Sequence, residues 1–242
     1  MIEVRPFASL GHAEHGWLDA RHHFSFAGYH DRTRMGWGAI RVWNDDTIAA
    51  NSGFAPHSHA DMEIITFVRT GAISHEDSLG NNGRTAAGDV QVMSAGTGIT
   101  HAEYNREDVP TTLFQIWVEP DSAGERPGWG ARAFPRGDRS GRWVTLAAGG
   151  AGRAANDADG AAQGDVLPLR ADARVLAANL PAGERLTFAA DPARHLYLVA
   201  PTGALSINGV AVAARDGVAI TGERDLEISA AQDSEIVLVD AR

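Results

Sequence analysis

The residues best suited to chemistry are two short pairs, His57-Ser58-His59 and His101-Ala102-Glu103. On an extended strand, residues i and i+2 face the same side, so each pair presents two potential ligands together. On neighbouring strands the pairs would converge as three imidazoles and one carboxylate. That donor set suits a single divalent first-row metal, and an octahedral ion so held keeps two positions open for water, substrate or dioxygen. Gly53 and Pro56 shape the chain before the first pair, and Ala95-Gly96-Thr97-Gly98 makes a turn before the second. Glu63, four residues past His59, is an alternative carboxylate. Glu103 is favoured because its spacing from His101 repeats that of the first pair, which leaves Glu63 to support the ligands or to pair with an arginine. His23, His75 and Glu76 are further candidates to line a pocket. Against them stand an ordinary packed or capping role for His23, and a hydrogen-bonded turn over His75-Glu76-Asp77-Ser78 ahead of Gly80–Gly83. His12, His15 and His30 read as solvated, and Trp37, Trp43 and Trp117 as core aromatics.

Those pairs need strands to carry them, and the local pattern is short and β-like. Residues 36–43, 63–69, 89–93 and 111–119 read as strands, the first ending at an Asn44-Asp45-Asp46 turn. Residues 120–142, rich in Gly, Pro, Arg and Asp, suit a connection, and Ala147 to Gly164 an exposed loop. Between them 142–146 reads as a strand. Beyond lie 174–179, 195–200, 204–208, 218–221, 226–229 and 235–239, separated by turns such as Asn208-Gly209 and Asp216-Gly217. Glu63–Ile73 aligns without a gap to His195–Leu205, with Thr-Gly in register, and Gly88-Asp89-Val90 has a counterpart in Asp216-Gly217-Val218. Two matches in order point to an internal duplication. The expectation is two similar β-barrel domains, 1–138 and 139–242. In this alignment His57 and His59 meet Ala189 and Asp191, and Glu63 meets His195, so the second domain is expected to hold no metal.

Composition removes competing chemistries. The 242 residues contain no cysteine, which excludes disulfides, thiolate metal sites and a cysteine nucleophile. Lysine is also absent, which excludes Schiff-base catalysis and a phosphate-binding P-loop lysine. Nine of the ten histidines fall between His12 and His101. A net charge of −10 argues against direct nucleic-acid binding. The sequence has no signal-peptide pattern and no apolar run long enough to span a membrane, so the expected location is the cytoplasm.

The stretch HSHADMEIITFVRTGAISHEDSLGN from His57, the segment Gly88–Glu103, His23-Phe24-Ser25-Phe26-Ala27 and Gln115-Ile116-Trp117-Val118 together resemble the pirin family of the cupin superfamily. The resemblance is strong over about residues 15–120 and weaker beyond. It implies an all-β bicupin fold, two jelly-roll-like β-barrel domains with one metal site in the first, and ligands at His57, His59, His101 and Glu103. It sides with Glu103 over Glu63, the position that more general cupins use. Seven residues rather than six separate Glu63 from Gly71, and Ser94 stands where those cupins carry proline. The implied metal is iron(II), with manganese, nickel, cobalt, copper or zinc as substitutes. The implied activity is a metal-dependent dioxygenase cleaving a flavonol such as quercetin, with Glu103 assisting deprotonation of a small aromatic substrate. The competing expectation is a non-enzymatic iron or redox sensor that binds a protein partner.

Overall fold

The computed structural model describes residues 1–150 and 166–242. The chain starts with β1 (Ile2–Arg5). The first lobe is built by β2 (Gly11–Glu14), β3 (Leu18–His22), β4 (Ile40–Ile48), β5 (Ser52–His59), β6 (Glu63–Thr70), β7 (Ala72–Asp77), β8 (Asn82–Ala86), β9 (Val90–Ser94), β10 (Ile99–Asn105), β11 (Thr111–Val118) and β12 (Gly128–Arg132). The second is built by β13 (Val144–Gly149), β14 (Leu167–Pro168), β15 (Ala173–Leu180), β16 (Arg185–Ala189), β17 (His195–Thr202), β18 (Leu205–Ile207), β19 (Val210–Val212), β20 (Gly217–Ile220), β21 (Asp225–Ala230) and β22 (Ser234–Ala241).

Among the described residues each lobe pairs a seven-stranded sheet with a four-stranded one. The large sheets run β12-β9-β6-β11-β4-β3-β2 and β1-β20-β17-β22-β15-β13-β14, and the small ones β5-β10-β7-β8 and β16-β21-β18-β19. β6 and β17, the strands the internal alignment matched, hold the same place in their sheets. The edge strand beside β9 is β12, whereas the edge strand beside β20 is β1, from the far end of the chain. The expected jelly-roll character is present, but the lobes are open two-sheet sandwiches rather than closed barrels.

The large sheets pack back to back. Trp43, Ile65, Phe67, Phe114 and Ile116 of the first meet Val175, Tyr197, Val199, Val237 and Val239 of the second in one core. A central strand of a large sheet is thus covered on both faces, by its own small sheet and by the other lobe. This is why β6, EIITFVRT, and β22, SEIVLVDA, carry apolar and β-branched residues on both faces instead of alternating apolar with polar. The second lobe's interior is hydrocarbon, with Leu198, Val218, Leu226, Ile228 and Leu238 in one cluster. The first lobe's interior is divided. Leu18, Ile48, Val68, Ile73 and Leu113 fill one end, Ile64, Met93 and Ile99 the other.

Two expectations about elements are corrected. The first predicted strand does not stop at Asn44-Asp45-Asp46; β4 runs through them and all three are buried. Tertiary partners override their turn propensity: Asn44 bonds His22, and Asp45 is held by Arg69 and Arg215. The loop expected from Ala147 begins instead as the end of β13, and residues 151–165 lie outside the described residues. Among the described residues no helix is long and apolar enough to cross a membrane.

Candidate metal centre

β5 and β10 lie side by side and antiparallel in the first lobe's small sheet, with His57 opposite His101 and His59 opposite Ile99. The i, i+2 spacing does its work here: His57, His59 and His101 gather with ring centroids 4.5 to 5.2 Å apart. One ring nitrogen of each lies within 4.8 Å of the others. The register shifts by a bulge between His101 and Glu103. Gly53 is required beside it, because a Cβ there would stand 2.2 Å from the carbonyl oxygen of Glu103.

Hydrogen bonding prepares one of these rings, and burial the other two, as donors. His57 Nδ1 donates to the carbonyl of Ala55 at 2.8 Å, which leaves Nε2 its lone pair. Burial, then His57 beside it, pushes the His59 ring down to about 4. Burial and the neighbouring His57, His59 and His75 push His101 down to about 3. His101 Nε2 is buried without a hydrogen-bond partner. An orphaned polar atom at such depth costs roughly 1–3 kcal/mol, and a cation at the centre of the trio would remove that cost.

Glu103 is not within the trio. It gathers instead with His75 and His101, again within 4.8 Å, so two overlapping groups share His101. Its Oε1 accepts from Gln91 Nε2 at 2.6 Å and Thr66 Oγ1 at 3.3 Å, and its Oε2 from Gln115 Nε2 at 2.8 Å. These donors form a row across the large sheet: Thr66 pairs directly with Gln91 on one side and Gln115 on the other, and Gln115 pairs with Asn44, which pairs with His22. This row is the polar belt that divides the first lobe's core. Each of these donors to Glu103 is neutral, and burial pushes its carboxyl up to about 7 against their pull. A buried carboxylate without counter-charge, next to imidazoles with free lone pairs, is a donor set that a divalent cation fits.

Other sequence candidates fall in different places. Glu63 belongs to the face of β6 that meets the other lobe, where Ser94 Oγ and the amide of Arg170 donate to it. His23 also lies between the lobes, 3.0 Å from the hydroxyl of Tyr197, and it is His22 that extends the polar row. His75 is buried against His101, whereas Glu76 points outward, ion-paired with Arg106 beside a groove of about 230 Å³. Trp117, expected in the core, stands edge-on to His59 at 4.9 Å. Thr66, Gln91, Gln115 and Asp77 were missed. For Thr66, Gln91 and Gln115 the signal was a polar residue at the inward position of a largely apolar strand, as in DVQVM and TTLFQIWVE; Asp77, at the end of the polar strand AISHED, carried no such signal.

Strand register shows what became of these positions in the second lobe. Ile207 takes the place of His75 and pairs with Ile228, as His75 pairs with Glu103. Leu226 then stands for His101, and its partner Phe188 for His57. Leu198, flanked by Val218 and Leu238, stands for Thr66 between Gln91 and Gln115. The ungapped alignment had matched His57 with Ala189; pairing places the counterpart one residue earlier.

Residues 3–118 match the protein family described as Pirin, and residues 158–241 match the one described as quercetinase C-terminal cupin domain. The chain is 58% identical to a pirin-like protein of Caulobacter vibrioides, over the full length of both. It is 39% identical to the quercetin 2,3-dioxygenase of Escherichia coli, covering 99% of this chain and 98% of that one. A crystal structure of a bacterial pirin from Escherichia coli in complex with nickel(II) superposes with a TM-score of 0.89 at 38% identity, covering 100% of this chain and 99% of the other.

Proposed function

The chain belongs to the pirin family, and on that premise we propose that it is a metal-dependent dioxygenase cleaving a flavonol such as quercetin. The observation that carries the reading is the convergence of His57, His59 and His101, together with the buried, unpartnered Nε2 of His101. In this reading those three side chains and Glu103 hold one divalent metal, iron(II) by preference, with manganese, nickel, cobalt, copper and zinc as the alternatives to test. The bound metal would supply a Lewis acid for the substrate hydroxyl and electron exchange with dioxygen.

The protein's own groups do the rest. His57 and His59 are only half-buried, so the substrate approaches from their side. Phe54 and Trp117 flank these two rings and offer aromatic faces to a flat bicyclic molecule. Glu103 takes the proton of the substrate hydroxyl, while Gln91 and Gln115 hold its two oxygens in place. The apolar clusters on either side of the polar belt keep bulk water from the reacting groups.

The test is anaerobic loading with each metal in turn, then quercetin, then air. The expected result with at least one metal is loss of flavonol absorbance with release of carbon monoxide. No loss with any of them refutes the activity.

A further inference from the structure

His75 and Asp77 have no part in the function just described, yet both side chains are wholly buried. His75 Nε2 lies 3.0 Å from Asp77 Oδ2. On the other side of the ring, His75 Nδ1 lies 3.5 Å from His101 Nδ1. Asp77 is itself held fast: the amides of Leu79 and Asn81 donate to Oδ1, and the Asn81 side chain donates to both oxygens. The His75 ring is stacked on Trp129, 4.8 Å away and 8° from parallel. Gly83 admits that indole, because a Cβ there would stand 2.3 Å from it.

Elementary hydrogen-bond chemistry then fixes the protons. A carboxylate only accepts, so neutral His75 carries its proton on Nε2. Its Nδ1 is left with a lone pair and accepts from His101 Nδ1–H. His101 is left with its lone pair on Nε2, the buried atom that lacks a partner, on a ring whose centroid lies 4.5 Å from that of His57 and 5.2 Å from that of His59. We propose that Asp77 and His75 are positioning residues for the metal: an Asp77–His75–His101 chain sets the tautomer of His101 and turns its Nε2 lone pair toward His57 and His59. The proposal rests on reading that trio as a metal site. It extends the common rule that a ligating histidine is oriented by a hydrogen bond from its other nitrogen, with the carboxylate acting here through one more imidazole.

The experiment reads tautomers directly, by long-range proton–nitrogen correlation on the metal-free, nitrogen-15-labelled full chain, and nickel(II) affinity by calorimetry. The wild type is expected to show His75 as Nε2–H and His101 as Nδ1–H. In Asp77→Asn the side-chain amide faces His75 Nε2, so His75 turns to Nδ1–H, His101 turns to Nε2–H, and the nickel Kd rises about 10–100-fold. His75→Phe keeps the ring volume and the Trp129 stack but removes the acceptor, and it is expected to weaken nickel by a similar factor. His101 found as Nε2–H in the wild type overturns the proposal, as do wild-type tautomers and affinity in Asp77→Asn. In either case tight nickel binding by the wild type leaves the metal reading standing. A wild type that takes up no nickel defeats the metal reading and this proposal with it.

Discussion

His23 makes the protein's stability depend on acid in a way that can be calculated. The ring is fully buried between the lobes, with Nδ1 on the Tyr197 hydroxyl and Nε2 without a partner. Burial, and then the charges of Arg5, Arg34 and Arg215 with His22 behind them, pushes it from 6.5 down to about 3. Above 6.5 it is neutral in both folded and unfolded chains. As pH falls below 6.5 the unfolded chain takes up a proton that the folded chain refuses until about 3, so stability drops by about 1.36 kcal/mol per pH unit over that window. Between about pH 7.5 and about pH 5 the loss from this one ring is about 2 kcal/mol. The perturbation is His23→Asn, which keeps a group facing Tyr197 but does not titrate. Urea unfolding of both metal-free proteins at the two pH values isolates the ring, since the other buried histidines are common to both. The wild type is expected to lose about 2 kcal/mol more than the variant on acidification. Acid losses equal to within about 0.5 kcal/mol would refute the assignment of a neutral, proton-refusing His23.

Three further outcomes follow from the site and its copy. His57→Ala and His101→Ala are expected to abolish stoichiometric metal uptake, and metal retained on elemental analysis would refute the trio as the site. Gly53→Ala drives a methyl into the Glu103 carbonyl oxygen; it is expected to cost about 1–3 kcal/mol in urea unfolding and to weaken metal binding, and a neutral result would show that β5 and β10 can part without consequence. Ile228→Glu places in the second lobe the carboxylate that the first accepts as Glu103, but among Leu198, Val218 and Leu238 instead of Thr66, Gln91 and Gln115. It is expected to destabilise by about 3–5 kcal/mol, and a small loss would mean that the polar row is not what makes Glu103 tolerable.

The histidine pairs were legible because strand periodicity alone places i and i+2 on one face, and the structure gathers the three rings as that rule requires. The two-lobed plan was legible from the repeated strand and Thr-Gly turn, since Gly71 and Gly203 both take the positive φ that a glycine turn demands. What could not be read was long-range. Asn44-Asp45-Asp46 looks like a turn until Arg69, Arg215 and His22 arrive from elsewhere in the chain to satisfy it. β1 is a short strand with nothing local to say that its partner is β20, more than two hundred residues on. Two adjacent histidines divide between opposite faces of a sheet, and which face is which depends on a second lobe that local sequence does not reveal. Glu63 has the spacing of a ligand, but β6 turns it toward the other lobe.

The two interiors also bear on how such a site could be won or lost. Converting one into the other means exchanging at least seven side chains besides supplying His59: Phe188, Ile207, Leu226, Ile228, Leu198, Val218 and Leu238 on one side; His57, His75, His101, Glu103, Thr66, Gln91 and Gln115 on the other. A polar group introduced first is buried without a partner, and a hydrocarbon introduced first strands the partners of the group it replaces, at roughly 1–3 kcal/mol each way. Single mutations therefore climb out of either arrangement, against a total stability of only about 5–15 kcal/mol. The dry and polar interiors are separate peaks on the mutational landscape. Passage from one to the other requires several of these exchanges together.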